Sequence, residues 1–454
     1  MVTQLEMCPA VSGAQDGDSV LATSWPGRWK VIWLGLLGTV LVLATAAIAV
    51  SADSRSAAAD RRGSGPDSWV TSWSASPQHA IAGPLAAGGF DHQTIRDIIV
   101  TSVGGDQLRL ELTNIYGASP LEVGHVTVAV ADPAVAVVPG PAVVPGTISP
   151  VTYRGRAMFQ IPAGAQILSD PVVMRVWPLQ ELAVSIYLPG RAAVATFHAD
   201  AQQVNWVSEA GDHAADPDSG AFTTATLSWY YLSGLVVRSP GADGTVVAFG
   251  DSITDGVGSD ADANARWPND LARRLDALGG PTLAVTDAGI GGNRVLASSR
   301  WYGVSAEARF GRDVLDQPGV RDIIVLEGIN DIGFSTSKRN PGTAISAAPI
   351  IAGYQQLIAR AHARGLKIFG GTLLPFQGAG YYTVAGEATR EAVNTWIRTS
   401  GAFDGVIDFD AAMRDPADPL RLNPAYDSGD HLHPNDAGYQ AMAGAINLDM
   451  LLPG

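Results

Sequence analysis

The sequence predicts an α/β protein in two parts. An antiparallel β-sandwich over residues 69–240 precedes a three-layer α/β domain with a mainly parallel sheet over residues 241–454. The length of 454 residues exceeds that of one typical domain. In the first part, alternating apolar and polar stretches separated by Gly and Pro are typical of antiparallel strands. In the second part, five continuous apolar stretches alternate with helical patterns, which indicates a parallel sheet covered on both faces.

The residues before these two parts divide into three predicted segments. Residues 1–30 are polar and predict a disordered lead, and residues 51–68 have the composition of a solvated linker. Between them, residues 31–50 carry no charge over a length that can span a bilayer as a transmembrane helix. The same stretch fits a signal-peptide core, with Ala47-Ile48-Ala49 as a small-x-small cleavage site. We therefore expect an extracytoplasmic protein that is secreted or membrane-anchored by residues 31–50.

The composition excludes several classes of function. A formal net charge of -15 would repel nucleic-acid phosphates, so we expect no nucleic-acid partner. The same charge suits a protein that acts on neutral substrates. Cys8 is the only cysteine, and the chain therefore cannot form an intrachain disulfide or a cysteine-based metal or redox site.

Both parts have clear element patterns. In the first part, the strongest strand patterns lie at 98–103, 108–113, 126–130 and 182–188. In the second part, the predicted strands are 246–249, 283–285, 322–326, 367–373 and 406–409. The predicted helices are 267–278, 305–315, 350–364, 386–400 and 436–451, each of which follows one of those five strands.

The first strand of the second part ends in Gly250-Asp251-Ser252, and the functional prediction depends on this turn. In a parallel α/β sheet, ligands bind at the carboxyl ends of the strands. A serine on a Gly-rich turn at such an end faces a cleft instead of the core. The same composition also occurs in ordinary turns, so the prediction requires partners from the other strand ends.

Two further loops supply polar groups at the same edge of the predicted sheet. Gly292 lies after the second strand, in a stretch whose Gly spacing does not fit a dinucleotide-binding fingerprint. Its backbone N–H is a candidate donor into the cleft, and a flexible loop is the alternative. Asn330 follows the third strand, and its side-chain amide is a second candidate donor, with an Asx turn as the alternative.

The last loop contains Asp430-His431-Leu432-His433-Pro434. An aspartate three residues before a histidine can receive the imidazole N–H, which fixes the tautomer and stabilises the imidazolium. We expect His433 to be the base because it precedes Pro434 and the last helix, with His431 as the alternate. Two imidazoles and a carboxylate can also hold a transition metal. We favour the base because no further ligand cluster lies nearby.

Together the four loops supply a nucleophile, its base, an acid that orients the base, and donors for an oxyanion. We predict a catalytic triad of Ser252, His433 and Asp430. The predicted oxyanion hole consists of Ser252, Gly292 and Asn330. This set performs acyl transfer without a metal or cofactor, because His433 accepts the Ser252 proton and the alkoxide attacks an ester carbonyl.

These residues also resemble the four sequence blocks of the SGNH (GDSL) hydrolase family, in the family's order. The blocks are Gly250-Asp251-Ser252, Gly292, Gly328-x-Asn330-Asp331 and Asp430-x-x-His433. The resemblance covers about residues 246–451 and implies a flavodoxin-like α/β/α fold, no cofactor, and esterase activity. Ile253 stands where the name-giving motif has Leu, at an apolar packing position.

Two further stretches, 309–315 and 325–333, resemble a bacterial subfamily related to acetylxylan esterase-like and arylesterase-like proteins. Members of this subfamily carry a β-rich region ahead of the hydrolase domain. That region opens with a stretch similar to residues 69–77 of this chain.

The leading functional prediction is a serine esterase that acts on short acyl esters, with acetyl groups on polysaccharide as the candidate substrate. A lipase or lysophospholipase with the same site is the alternative enzyme. A carbohydrate-binding protein with an inert hydrolase domain is the non-enzymatic alternative. Six aromatic residues near the predicted loops are candidates for a sugar-stacking or acyl-binding wall, or for the core: Trp267, Trp301, Tyr302, Phe334, Tyr381 and Tyr382.

Overall fold

The computed structural model describes residues 68–452, apart from 81–84, 86–87, 133–140, 194–195, 280–281 and 337–344. The predicted lead at 1–30, the apolar segment at 31–50 and Cys8 lie outside the described residues, as does the linker apart from Ser68. All of the described residues belong to one compact unit. Among them, no helix has both the length and the apolar character needed to cross a membrane.

The first half of the described chain consists of antiparallel strands. They are β1 (Trp69–Ser74), β2 (Gln78–His79), β3 (Gln93–Val100), β4 (Gly105–Thr113), β5 (Leu121–Val123), β6 (His125–Val130), β7 (Ser149–Pro150), β8 (Phe159–Ile161), β9 (Gln166–Leu168), β10 (Val172–Val176), β11 (Glu181–Leu188), β12 (Thr196–His198), β13 (Asn205–Ala210), β14 (Phe222–Thr226), β15 (Trp229–Tyr230) and β16 (Leu232–Arg238). The stretches predicted as strands at 98–103, 108–113, 126–130 and 182–188 overlap β3, β4, β6 and β11.

These strands form two large sheets and two small ones. One large sheet has the order β1–β16–β4–β10, with β9 also paired to β4, and the other has the order β14–β13–β3–β11–β6–β7. The small sheets are β15–β12–β2 and β5–β8. Apolar side chains of both large sheets, such as Leu110 and Leu235 from the first and Ile95 and Val184 from the second, share one buried cluster. The antiparallel sheets are therefore consistent with a β-rich region ahead of the α/β domain.

The second half contains the parallel sheet. Its strands are β17 (Ala242–Gly250), β18 (Thr282–Gly289), β19 (Val320–Leu326), β20 (Lys367–Gly371) and β21 (Gly405–Ile407). All pairings are parallel, and the order is β18–β17–β19–β20–β21. This is the 2-1-3-4-5 order of flavodoxin-like sheets, in which the ligand lies at the switch point beside the first strand. The continuous apolar run Val246–Phe249 is fully buried, as expected for a strand with both faces covered.

Eight α-helices are described in this half of the chain. They are α1 (Ser252–Asp255), α2 (Trp267–Asp276), α3 (Ala306–Phe310), α4 (Ile329–Thr336), α5 (Ala347–His362), α6 (Val384–Thr399), α7 (Phe409–Met413) and α8 (Asp436–Ala445). The sequence pattern did not predict α1, α4 or α7.

Two predicted helices are shorter in the structure. The helix predicted at 305–315 consists of α3 and a π-helical turn that begins at Gly311, where glycine disfavours a regular α-helix. The helix predicted at 436–451 ends at Ala445. Asn447 then starts a separate 3₁₀ turn, and its side chain accepts from the Asp449 N–H at 3.1 Å.

The change from antiparallel to parallel pairing falls between Arg238 and Ala242. The two regions are in contact, since β1 packs against both β17 and β18. Hydrogen bonds also connect them. The Ser74 hydroxyl donates to the Asp287 carbonyl at 2.8 Å, and the Val285 N–H donates to the Ser102 hydroxyl at 3.0 Å. The β-rich region thus lies directly against the parallel sheet.

Candidate active site

The carboxyl ends of three neighbouring strands are aligned. Gly250, the last residue of β17, pairs with Gly289 on β18 and with Leu326 on β19. A predicted site residue follows each of these strand ends within four positions: Ser252, Gly292 and Asn330. The register of the sheet therefore brings three of the predicted loops to one edge.

The turn that carries Ser252 is fixed by its neighbours. The Asp251 carboxylate caps α1 by accepting from the Ile253 N–H at 3.0 Å, which braces the turn. Position 250 requires glycine, because a Cβ there would lie 2.2 Å from the Leu326 carbonyl oxygen and from the Thr254 hydroxyl. These contacts hold Ser252, which is largely buried, at the start of a short helix.

His433 and Asp430 form a hydrogen-bonded chain with Ser252. Nε2 of His433 lies 2.8 Å from Oγ of Ser252, and Nδ1 lies 2.5 Å from Oδ2 of Asp430. Oδ1 of Asp430 accepts from the backbone N–H groups of Leu432 and His433 at 2.9 and 2.8 Å. The tight loop before α8 thus holds the imidazole between a carboxylate and a hydroxyl.

The environment of Asp430 favours its ionised form. Partial burial raises the pKa of this carboxyl, but the hydrogen bond and charge of His433 and two backbone N–H groups lower it by more. The net pKa lies well below its ordinary value. An ionised Asp430 holds Nδ1 of His433 in its protonated form, which leaves Nε2 to accept from Ser252.

His431, the alternate base, has other partners. Its Nδ1 lies 2.6 Å from Oδ2 of Asp427, and its backbone N–H donates to the other oxygen of that carboxylate at 3.0 Å. The imidazole is exposed and packs beside Gly378. The structure therefore brings His433, and not His431, to Ser252. Across the described residues, no three His, Cys, Asp or Glu side chains come together as a metal-binding group.

Gly292 lies in a turn closed by a hydrogen bond from the Asn293 N–H to the Ile290 carbonyl at 3.1 Å. Its φ of 72° lies in the left-handed region, which favours glycine. A Cβ at this position would lie 2.2 Å from Cδ1 of Tyr302. Both the backbone conformation and the packing of Tyr302 therefore exclude a side chain at position 292.

Asn330 lies in the first turn of α4 and is nearly fully buried. Its Nδ2 donates to the Asn293 carbonyl at 3.0 Å, and its Oδ1 accepts from the Tyr381 hydroxyl at 3.3 Å. These two bonds agree on the orientation of the amide. One N–H of Nδ2 thus fixes the Gly292–Asn293 segment.

Two residues without a role in the sequence-based prediction also fix this segment. The Asp331 carboxylate accepts from the N–H groups of Val295 and Leu296 at 2.7 and 3.1 Å. The buried Arg309 donates to the Gly250 and Ala288 carbonyls, both at 2.7 Å, and to the side-chain oxygen of Asn293 at 2.9 Å. Arg309 begins the stretch 309–315 that carries the subfamily resemblance, and this was the sequence signal for it.

Three aromatic rings border Gly292 and Asn330. Tyr302 stacks on Phe334 with ring centroids 5.1 Å apart, and Phe334 meets Tyr381 edge-on at 5.7 Å. Trp301 and Tyr302 are 53% and 40% exposed. We call Tyr302, Phe334 and Tyr381 the aromatic wall; Trp301 precedes Tyr302 in the chain.

The other two aromatic candidates are packing residues. Trp267 is fully buried in the first turn of α2 and packs against Phe409, so its candidacy as a wall residue is wrong. Tyr382 packs edge-on against Phe376, with ring centroids 5.1 Å apart.

Comparisons with known proteins identify this part of the chain. Residues 248–441 match the model of the GDSL-like lipase/acylhydrolase family. Among solved structures, an acetyl xylan esterase from Geobacillus stearothermophilus is similar at 20% identity and a TM-score of 0.37, over 46% of this chain and 95% of that one. A G-D-S-L family lipolytic protein from Desulfitobacterium hafniense is similar at 19% identity and a TM-score of 0.34, over 44% of this chain and 96% of that one.

An acylhydrolase from Bacteroides fragilis is similar at 22% identity and a TM-score of 0.35, over 46% of this chain and 87% of that one. No curated protein matches the chain. The match to the family model shows that the segment that carries Ser252, Gly292 and Asn330 is a domain of the GDSL-like lipase/acylhydrolase family, a hydrolase of ester bonds.

Proposed function

We propose that the protein is a serine esterase that hydrolyses short-chain carboxylic esters, with Ser252 as nucleophile, His433 as base and Asp430 as the acid that orients the base. The observation that carries the proposal is the unbroken hydrogen-bonded chain from Ser252 Oγ through His433 to Asp430, with distances of 2.8 and 2.5 Å. This arrangement has the geometry that nucleophilic catalysis by serine requires.

The reaction proceeds in two balanced half-reactions. Nε2 of His433 accepts the proton of Ser252 as Oγ attacks the ester carbonyl carbon. The tetrahedral intermediate collapses when His433 returns that proton to the departing alcohol, which leaves an acyl-Ser252. Water then attacks the acyl carbonyl, again with His433 as base, and the carboxylic acid leaves as Ser252 regains its proton.

The oxyanion hole of the proposed mechanism uses the N–H groups of Ser252 and Gly292 and the second N–H of Asn330 Nδ2. The Gly292 donor is held in place before substrate binds, because Asn330 and Arg309 bond to the adjacent Asn293 and Asp331 bonds to Val295. Preorganised donors stabilise the developing negative charge without reorganisation, and the loss of one typically costs about 10²- to 10³-fold in rate.

The aromatic wall favours an ester substrate with a short acyl group and a carbohydrate alcohol. Tyr302 packs on Gly292, and Tyr381 packs on Gly333 and bonds to Asn330, so bulky rings lie close to the proposed oxyanion donors. The exposed faces of Trp301 and Tyr302 are suited to stacking on a sugar ring. Acetyl groups on a polysaccharide are therefore the proposed substrate. We further propose that the enzyme acts outside the cytoplasm, secreted or anchored by the uncharged residues 31–50.

A fluorophosphonate probe and a substrate panel test the proposal. The probe should label wild-type protein and should not label Ser252→Ala. The panel contains p-nitrophenyl esters of rising chain length, acetylated xylan and lysophosphatidylcholine, and activity should be highest on acetyl esters. A preference for long chains or lysophospholipid would instead indicate a lipase. Folded protein that binds carbohydrate but takes no label would indicate an inert hydrolase domain.

A further inference from the structure

The β-rich region reaches the turn of Ser252 through one buried histidine. His198 is the last residue of β12, in the small sheet β15–β12–β2. Its Nδ1 lies 2.9 Å from the Ser76 carbonyl oxygen, and its Nε2 lies 2.9 Å from Oδ1 of Asp255. The Ser76 carbonyl can only accept, and the Asp255 carboxylate accepts as well, so the contacts favour a proton on both ring nitrogens, that is, an imidazolium.

Asp255 connects this imidazolium to the oxyanion side of the site. It is the last residue of α1, the helix that Ser252 begins. Its second carboxylate oxygen accepts from the Gly291 N–H at 3.0 Å. This contact fixes the Ile290–Gly291 peptide plane, which directly precedes the plane that carries the Gly292 N–H.

The electrostatics of the pair favour this arrangement. The side chains of His198 and Asp255 are each only 3% exposed. Burial lowers the pKa of His198, but the charge and hydrogen bond of Asp255, the Ser76 carbonyl and the charge of Asp200 raise it to a net value of about 9. The buried carboxylate thus has a buried cation beside it, without which its desolvation would be uncompensated.

We propose that His198 is a positioning residue for ester hydrolysis, which holds Asp255 so that its carboxylate fixes the Gly291 N–H and the adjacent Gly292 N–H relative to Ser252. His198 has no contact with Ser252 itself and acts through Asp255. The role in turnover rests on the proposed esterase function. The positioning of the Gly291–Gly292 segment does not depend on that function. The β-rich region is, on this view, a working part of the active site.

A second His–Asp pair in the same region provides a matched control. Nδ1 of His213 lies 2.7 Å from Oδ2 of Asp216, in a partly exposed pair that touches none of the proposed site residues. Removal of His213 therefore tests the effect of losing a histidine–carboxylate pair from the β-rich region without a change at Asp255.

The experiment compares His198→Ala, His198→Gln and His213→Ala in the full chain. With p-nitrophenyl acetate, kcat should fall at least tenfold in His198→Ala while KM changes less than twofold, and His213→Ala should match the wild type. His198→Gln keeps an N–H that can reach Asp255 and should lose several-fold. Hydrogen–deuterium exchange of the peptide that covers residues 289–293 should accelerate in both His198 variants and not in His213→Ala.

The outcomes separate this inference from the esterase proposal. If wild-type protein shows no turnover, the esterase proposal fails, and faster exchange at 289–293 in the His198 variants still supports the positioning role. Unchanged exchange in a folded His198 variant overturns the inference, with or without a loss of activity. Equal losses of kcat in His198→Gln and His198→Ala overturn it as well. If His198→Ala does not fold, the same measurements on His198→Gln and His213→Gln provide the test instead.

Discussion

The Tyr381 hydroxyl donates to Oδ1 of Asn330 at 3.3 Å, and this bond orients the amide whose nitrogen faces the Asn293 carbonyl. Tyr381 therefore influences a proposed oxyanion donor without reaching the nucleophile. The bond is long, and a net hydrogen bond of this kind is worth about 1 kcal/mol.

Replacement of Tyr381 by Phe should consequently lower kcat about fivefold, since about 1 kcal/mol corresponds to that factor. Steady-state kinetics with p-nitrophenyl acetate measure the effect. The control is Tyr382→Phe, which removes the hydroxyl from the neighbouring ring that packs against Phe376. It should leave kcat unchanged. An equal loss in both variants would show that general packing, and not the bond to Asn330, is responsible.

The two histidines of the last loop should differ sharply. His433→Ala removes the imidazole that lies 2.8 Å from Ser252 Oγ, and kcat should fall by about 10³-fold or more, the loss expected when the base of a serine triad is removed. His431→Ala loses only its exposed contact with Asp427 and should keep most of its activity. If the two variants exchanged these behaviours, the assignment of the base would be wrong.

Gly292→Ala should be inactive or nearly so. The substitution forces a side chain into a left-handed backbone position and against the Tyr302 ring, so the 292 N–H must move. The loss of one oxyanion donor corresponds to about 10²- to 10³-fold in kcat. Gly146→Ala, a left-handed position with open space around it, controls for backbone strain and should retain full activity.

The raised pKa of His198 makes stability depend on pH. A group whose pKa rises from 6.5 to about 9 on folding stabilises the protein fully below pH 6.5, and this stabilisation is lost as the pH rises through about 9. Asp255, Asp200 and Asp287 are the charged groups that face it. Burial raises the pKa of Asp287 from 3.8 to about 7, so its destabilising effect develops as the pH rises from about 4 to 7 and is constant above that range.

The Tm of the wild type should therefore fall between pH 7 and 9, and His198→Gln should show a smaller fall over this range. Thermal unfolding followed by circular dichroism at several pH values measures the difference. His213→Gln should follow the wild type. Parallel Tm curves for wild type and His198→Gln would contradict the prediction.

Chelation should leave activity intact, because no step of the proposed mechanism uses a metal. Hydrolysis of p-nitrophenyl acetate is compared before and after dialysis against EDTA. A loss that a divalent metal restores would favour the alternative in which the two histidines of the last loop bind a metal ion.

Much of the architecture could be predicted because its signals are local. Continuous apolar strands and their following helices gave the parallel sheet, and strand-end loops in a parallel sheet necessarily meet at one edge. For that reason, Ser252 and Asn330 could be assigned to one site from their sequence positions. Asp430 and His433 lie three residues apart, so their contact is also local. Their catalytic roles stay predictions.

Other features depend on contacts that are distant in sequence. α4 contains Asn330, Asp331 and Gly333, residues of low helix propensity, and it forms because tertiary contacts outweigh that propensity. His198 and Asp255 are 57 positions apart, one at the end of a strand and the other at the end of a helix, so no periodicity connects them. Trp267 follows a Gly-rich loop in sequence, and only the packing of α2 against Phe409 assigns it to the core.

The polar contacts of Ser74 and Ser102 with β18 determine where the chain can be divided. The strand pattern changes at residue 240, but backbone groups of β18 form hydrogen bonds with serine hydroxyls of the β-rich region. A chain begun at residue 241 would expose the buried side of β18 and leave Asp255 without its imidazolium. Exchange of β-rich regions between related enzymes therefore requires that the residues of β18 that bond to Ser74 and Ser102 be transferred with them.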